Sequence, residues 1–382
     1  MKNRSRLADV AKLAGVSTAT VSAVINHSTG GNIRVSAETR QRVLEAVSRL
    51  GYVANPSARS LAGGQNRILG IFTYQPIFPF QHHDFFYPFL VGIEEEAEAR
   101  GYQLLIFTNV TDGNGRRSIY HNDTNQLYMA DGSILLGMYE NKEDLRRLQG
   151  EGYPFVYIGR REVPGESISY TAADYAAATA ELTGMLAQQG HRRMVCIGFL
   201  DQPETLHDRE AGFLSGCRQY NLPVDDHSIQ HIPAGEITPQ WVSQLLQQGY
   251  TAALVVYDNQ AQALLNGLTA LGLSVPHDFS IALLGDPHYQ WDNSPDWTMF
   301  TIPRREMGVE AVRLLVQRLE NPEDTTPHTI ALPCRIVLGQ TIAPPAVLPA
   351  RKEATLSEVH SLDRNLIPRS ETNSHLSGEE PQ

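Results

Sequence analysis

The sequence predicts a molecule in two parts, a small all-α head followed by a larger α/β body built on parallel sheets. Three observations lead there. Leu7, Val10, Ala11 and Ala14 recur at helical spacing ahead of Gly15 and a second short apolar run, so two brief helices meet at a tight turn. From Ile68 onward, continuous apolar runs of strand length alternate with longer amphipathic stretches, the pattern of strands covered on both faces by helices. The charge divides at the same place. Residues 1–67 carry ten Lys/Arg against three Asp/Glu, a net of +7, and the other 21 against 39 leave −18 on residues 68–382. A basic head on an acidic body suits a polyanionic partner that only the head should touch.

In the head, Ser17 is placed to cap the second helix, whose Val21, Val24 and Ile25 join the first helix in one small core. Two short helices around a tight Gly turn are the outline of a helix-turn-helix, in which the second helix enters the DNA major groove. The loop that follows, HSTGGNIR, is broken by Gly30 and Gly31. Ser36 is expected to cap a third helix with Val43, Val47 and Leu50 on its core face, and Gly51 to end it. The stretch YVANPSARSLAGGQNR then reads as a conditional helix. Asn55 caps it, Pro56 takes its first position, and Gly63 with Gly64 stops it too early to persist alone in water.

In the body, strands are expected in ILGIFTY, YQLLIFTNV, GSILLGM, PFVYIGR, RRMVCIGF, AALVVYD and SIALLGD. Helices are expected in FLVGIEEEAEARGY, KEDLRRLQGEG and AAATAELTGMLAQQGH. Beyond Pro344 the chain turns polar, and although Leu356, Val359, Leu362 and Leu366 hint at a heptad, a disordered tail is expected there. Cys196, Cys217 and Cys334 stand far apart, which argues against a zinc site or a disulfide framework. His82, His83 and Asp84 on one loop are expected to be solvated rather than to hold a metal. No run of eighteen apolar residues and no leader-like N-terminus is present, so a cytoplasmic protein without a membrane role is expected. A phosphate-cradling Gly-Lys-Ser/Thr loop, a nucleophile elbow and an assembled acid/base pair are all missing, so no enzyme and no catalytic residue is expected.

The wording of the head is closer than a bare helix pair. DVAKLAGVSTATVS, followed by VSAETRQRVLEAVSRLGYVANPSARSL, resembles the lactose-repressor (LacI) family of bacterial transcription regulators. The resemblance implies a helix-turn-helix domain at 1–54, a hinge at 55–67 and an effector-binding and dimerisation domain at 68–343, with the tail at 344–382. That body is expected to be two-lobed and periplasmic-binding-protein-like, with three chain crossings between the lobes. Lobe one is expected near 68–165 and 290–325, and lobe two near 166–289 and 326–343. The implied function is a sequence-specific repressor on a near-palindromic double-stranded operator, acting as a homodimer, with a tetramer left open, and switched by a small ligand between the lobes. A transport-type solute receptor without a DNA role is the alternative.

The resemblance also assigns residues. Thr18 and Ala19 face outward at the start of the second helix, with Thr20, Ser22 and Asn26 near the phosphates and Ser17, Ser36, Tyr52 and Asn55 completing the DNA-binding set. Ala23 replaces an arginine common in relatives, removing a base contact worth about 1–3 kcal/mol of discrimination. More specificity is therefore expected from DNA deformability at Leu61, which matches the family's minor-groove wedge, and from Arg34. In the cleft, Phe85 and Phe86 match a ligand-stacking aromatic, although either could equally be a core residue. Arg160 and Arg209 match ligand-gripping positions, and Asp258 and Asp286 are retained acids. Gly159 and Gly285 stand where acids are usual, and Tyr175 and Tyr257 where asparagines are. Aromatic walls with Asp and Arg partners favour a polyol such as a sugar, and no cofactor is expected.

Overall fold

Gly15 makes the head possible, because at φ +66° it turns the chain between α1 (Leu7–Ala14) and α2 (Thr18–Ile25) in a conformation that side chains resist. The Ser17 hydroxyl accepts the Thr20 amide at 3.1 Å, and the Ser36 hydroxyl accepts that of Thr39 at 3.2 Å to open α3 (Ala37–Leu50). Val10, Val21 and Val43 are fully buried where the three helices meet, with Ala11, Ala14, Val24 and Ala46 around them. Val47 and Leu50, expected at the centre, pack half-buried on its edge while Ala46 takes the inner place.

The structure is a computed structural model that describes residues 6–25, 35–52, 66–75, 83–108, 117–137, 140–199, 203–287 and 294–346. Asn26, Arg34, Asn55, Leu61, the Gly30-Gly31 loop and the heptad-like tail lie outside the described residues.

In the body the chain runs β1 (Ile68–Thr73), α4 (His83–Ala99), β2 (Gln103–Phe107), the short pair β3 (Tyr120–His121) and β4 (Thr124–Asn125), then β5 (Gly132–Leu136). It continues through α5 (Lys142–Gly150), β6 (Phe155–Ile158), β7 (Tyr170–Asp174), α6 (Tyr175–Gln188), β8 (Met194–Gly198) and α7 (Pro203–Gln219). After β9 (Ile229–His231) come α8 (Pro239–Gln247), β10 (Ala252–Val255), α9 (Asp258–Ala270), β11 (Ser280–Leu283) and β12 (Thr298–Thr301). The last elements are α10 (Arg304–Glu320), β13 (Thr329–Pro333) and β14 (Arg335–Val337).

Two six-stranded sheets result, ordered β13-β7-β6-β5-β1-β2 and β14-β12-β11-β10-β8-β9. The first is parallel throughout, and the second is parallel except for β14 on β12. The chain crosses between lobes three times, between β7 and α6, between β12 and α10, and between β13 and β14. Tyr175, Ile302 and Cys334 stand at these crossings, and each packs against the cores of both lobes.

The lobe limits move accordingly. β7 and β13 pair in the first sheet, and β12 in the second, so the first lobe reaches residue 174 and takes 304–333 rather than 290–325. These strands lack a continuous apolar run, β13 being an edge strand of alternating exposure, so an apolar-run criterion misplaces them.

Helices α4 and α10 cover one face of the first sheet and touch through their backbones. A Cβ on Gly92 would stand 1.9 Å from the Arg305 carbonyl oxygen, and one on Gly308 2.4 Å from that of Phe89. Only glycine admits that approach. It fixes Phe85, Phe86 and Phe89 on α4 against the start of α10. Among the described residues no single helix is long and apolar enough to cross a membrane, and Cys196 and Cys217 are buried free thiols.

Candidate functional site

The carboxyl ends of both sheets face a shared cavity, where ligands of doubly wound sheets bind. Phe85, Phe86 and Phe89 form one wall, with Phe85 edge-on to Phe86 at 5.0 Å and to Phe89 at 5.9 Å between centroids. Phe86 and Phe89 are buried and Phe85 half-buried, so Phe86 serves the core and the cavity together. Tyr175 and Tyr257, the two departures from asparagine, also line the space.

Arg209 on α7 enters from the second lobe and is 7% exposed. Its Nε donates to the Leu284 carbonyl at 2.8 Å and its Nη1 to that of Thr205 at 2.9 Å, while the guanidinium lies 3.8 Å above the Tyr175 ring. Burial pushes the Tyr175 phenol up, and Arg209 beside it acts in the opposite direction. Asp286 lines the cavity too, but its Oδ2 accepts the Ile302 amide at 2.9 Å and pairs with Arg304 Nη1 at 2.9 Å. Gly285 has φ +154°, and a Cβ there would lie 3.6 Å from Arg209 Nη2.

Two expected cleft residues are placed elsewhere. Arg160 turns from the cavity to the second lobe, where it meets Asp208 and the Glu204 carbonyl and also pairs with Glu162. The neighbouring Arg161 lines the cavity in its place. Its Nε lies 2.9 Å from Glu140 Oε2, its Nη2 donates to the Gly137 carbonyl at 2.6 Å, and it stacks 4.7 Å from the Tyr157 ring. Burial pushes the Glu140 carboxyl up, with Arg161 opposing that shift. Asp258 is buried as the first residue of α9, where a carboxylate meets the positive end of the helix, and leaves the cavity to Tyr257. Arg161 and Arg304 were not anticipated. The Arg160-Arg161 doublet at a strand end was the available signal for the first, and Arg304 had none.

The side chains of His82, His83 and Asp84 lie outside the described residues. Among the described residues no group of three His, Cys, Asp or Glu side chains is gathered to hold a metal. Aromatic faces with forked donors and hydroxyls can stack on and orient a ring bearing oxygen substituents.

On the head, Ser17, Thr18 and Ala19 are exposed at the amino end of α2, and Thr20, Ser22 and Ala23 are half-exposed beside them. Ser17 and Ser36 also have the capping work described above, and Tyr52 packs against the head core. The helix amino end offers free amides and a positive dipole to phosphate.

The family model of bacterial regulatory proteins, lacI family, matches residues 6–55, and that of the periplasmic binding protein-like domain matches residues 183–342. Catabolite control protein A of Priestia megaterium is 28% identical over 340 residues, covering 87% of this chain and 98% of its own. The HTH-type transcriptional regulator CelR of Thermobifida fusca is 28% identical over 351 residues, covering 89% and 99%. The solved complex of the transcriptional regulator CelR with cellobiose superposes with a TM-score of 0.56 at 25% identity, covering 88% of this chain and all of that one.

Proposed function

The chain belongs to the lacI family of bacterial regulatory proteins, and from that premise we propose that it is a homodimeric repressor whose hold on a near-palindromic operator is set by a saccharide bound between its lobes. One observation carries this reading. The same chain bears an exposed α2 amino end on a basic head and a cavity with aromatic walls at the crossings of two lobes. CelR, solved with cellobiose, supports a saccharide. The lacI-family match over the head sets aside a transport-type receptor without a DNA role.

In this reading Thr18 and Ala19 meet base edges, while Ser17, Thr20, Ser22, Asn26, Ser36, Tyr52 and Asn55 serve register on the backbone. Arg34 and Leu61 add the contacts that the alanine at position 23 does not make. Two heads reading half-sites about one helical turn apart require two chains.

The switch follows from how the first lobe holds the chain leading to the head. The Asp131 carboxylate accepts the Asn66 amide at 2.7 Å and the Ile68 amide at 3.1 Å, so a rotation of this lobe carries residues 66–68 with it. A ligand that favours one lobe geometry thereby favours one hinge spacing. Coupling of this kind amounts to about 1–3 kcal/mol and is reciprocal, so operator also changes ligand affinity. A mobility-shift assay of the full chain on DNA upstream of its own gene, with and without cellobiose and monosaccharides, is expected to show a retarded species that responds to one of them. Absence of any retarded species at low salt sinks the repressor reading.

A further inference from the structure

We propose that the ligand is an anionic saccharide whose carboxylate is taken by Arg209, rather than a neutral sugar. This rests on the regulator reading of the same cleft and narrows its ligand class.

The charges around the cavity carry the argument. Three charged side chains line it, and two are neutralised from behind, Arg161 by Glu140 at 2.9 Å and Asp286 by Arg304 at 2.9 Å. Arg209 has no carboxylate partner among the described residues. It is 7% exposed, and among the described residues two backbone carbonyls, Tyr175 and the Phe300 ring face its charge. A buried guanidinium without a counter-charge is costly, and an oxyanion delivered by the ligand relieves that cost through charge-assisted hydrogen bonds.

Hydrogen-bond capacity points the same way. The Leu284 and Gly137 carbonyls at the strand ends already accept from Arg209 and Arg161. Asp286 is the one carboxylate among the described lining residues, and its Oδ2 already accepts from the Ile302 amide and Arg304. Each hydroxyl of a neutral sugar brings a hydrogen that needs an acceptor, whereas an ionised carboxylate only accepts. A uronate replaces one such hydroxyl with acceptors alone, which suits a wall that carries two guanidinium groups.

Geometry leaves the arginine room to act. With Nε and Nη1 committed to carbonyls, Nη2 lies beside Gly285, a position that contributes no side chain. An acidic residue at 285 would supply the missing counter-charge from the protein. Glycine leaves that charge to the ligand.

The test is calorimetric titration of the full chain with sugars paired by their C6 group, glucose with glucuronate, galactose with galacturonate and mannose with mannuronate, plus glucose 6-phosphate. At least one uronate is expected to bind about 10-fold or more tightly than its neutral partner, and to weaken as sodium chloride is raised. Arg209→Gln is expected to erase that preference. The wild-type acid-to-neutral ratio stands whether or not this variant folds. Equal or tighter binding of a neutral partner overturns the inference and leaves the regulator reading intact. Preference for the phosphate over every uronate overturns the carboxylate assignment. Binding of none of these sugars by a chain that retards its own upstream DNA also overturns the inference, and only the further loss of DNA binding overturns the regulator reading.

Discussion

Arg160 of the first lobe holds Asp208 of the second through two contacts, Nη2 to Oδ1 at 2.8 Å and Nε to Oδ2 at 3.1 Å. The same guanidinium donates to the Glu204 carbonyl at 3.0 Å, and the Glu204 carboxylate lies 3.6 Å from Lys142 Nζ. The first turns of α7 are thus fastened across the cleft to loops that follow the strands of the other lobe. An arginine expected to grip the ligand instead grips the opposite lobe.

The consequence is a bias towards the closed arrangement. Both side chains are less than a third exposed, at 23% and 26%, and a two-point pair of this kind contributes about 1 kcal/mol. If the closed arrangement is the one that binds ligand, Asp208→Asn is expected to weaken saccharide affinity about 5-fold. Arg160→Gln should weaken it similarly, and the double variant should do little more than either alone. Calorimetric titration of the four proteins measures this, and fully additive losses would contradict a direct pair.

A pH dependence follows from His191, which is 1% exposed. Its Nδ1 lies 2.8 Å from the Thr251 hydroxyl and its Nε2 2.9 Å from the Ala343 carbonyl, so the neutral ring donates to the carbonyl and accepts from the hydroxyl. Burial pushes its pKa down, with the hydrogen bond to Ala343 opposing. A folded-state value below the unfolded one of about 6.5 means that the unfolded chain takes up the proton more readily. The contribution is full above that pH and is lost as pH falls below it, at up to about 1.4 kcal/mol per unit. The urea midpoint of the wild type should therefore drop between about pH 7.5 and about pH 5.5, and His191→Gln should reduce that drop. An equal drop in both proteins would assign the effect to other groups.

What was legible in the sequence was mostly local. Ser17, Gly15, Ser36 and Gly51 act within a few residues of themselves, and each has the turning or capping role its type suggests. The seven apolar runs are all strands, six of them mostly buried between covering elements and the seventh, β2, a more exposed edge strand. The cleft was legible only to within a residue. At a strand end successive side chains point to opposite sides, so Arg160 and Arg161 exchange roles with a single step of register, and no pattern in the sequence fixes that step. Tyr257 and Asp258 exchange in the same way at the start of α9. Arg304 stayed invisible because its partner Asp286 lies across a lobe crossing, a relation that only the sheet order creates.

The head can be disabled without touching the cleft. Val43 is fully buried among Val10, Val21 and Val24, and a core this small has little stability in reserve. Val43→Ala removes about 2 kcal/mol by lost burial and the cavity left behind. Operator binding is expected to fall steeply while saccharide affinity stays within about 2-fold of the wild type. Parallel mobility-shift and calorimetric measurements decide it, and equal losses at both sites would show that the two modules do not fold separately.

Leu61 carries the expectation that discrimination lies partly in DNA deformation. Thr18 and Ala19 provide one hydroxyl and two methyl groups for base edges, and Ala23 provides no hydrogen bond. An apolar wedge that kinks the duplex costs a few kcal/mol and recovers it through added contacts, so Leu61→Ala is expected to weaken operator binding about 10-fold or more at fixed salt. The loss should be larger on operator than on unrelated DNA. An unchanged operator affinity in a salt-controlled titration would refute the wedge.

Gly285 supplies the sharpest separation of backbone from space. A Cβ there would meet Arg209 Nη2 and Ile302 Cδ1 at 3.6 Å, ordinary contact distances, so crowding is not the obstacle. The obstacle is φ +154°, a region that side-chain-bearing residues avoid at a cost of about 1–3 kcal/mol. Gly285→Ala is expected to relieve that strain by turning the peptide that precedes it. That peptide carries the Leu284 carbonyl, which holds Arg209 Nε, and the next residue is Asp286, which holds Arg304. Both cavity charges then lose their settings, and saccharide affinity should fall about 10-fold or more while operator binding without ligand is kept. Gly235, with open space around its Cα and no positive φ, provides the control, since Gly235→Ala should leave both affinities unchanged. Wild-type saccharide binding by Gly285→Ala would show that the Leu284 carbonyl does not position Arg209.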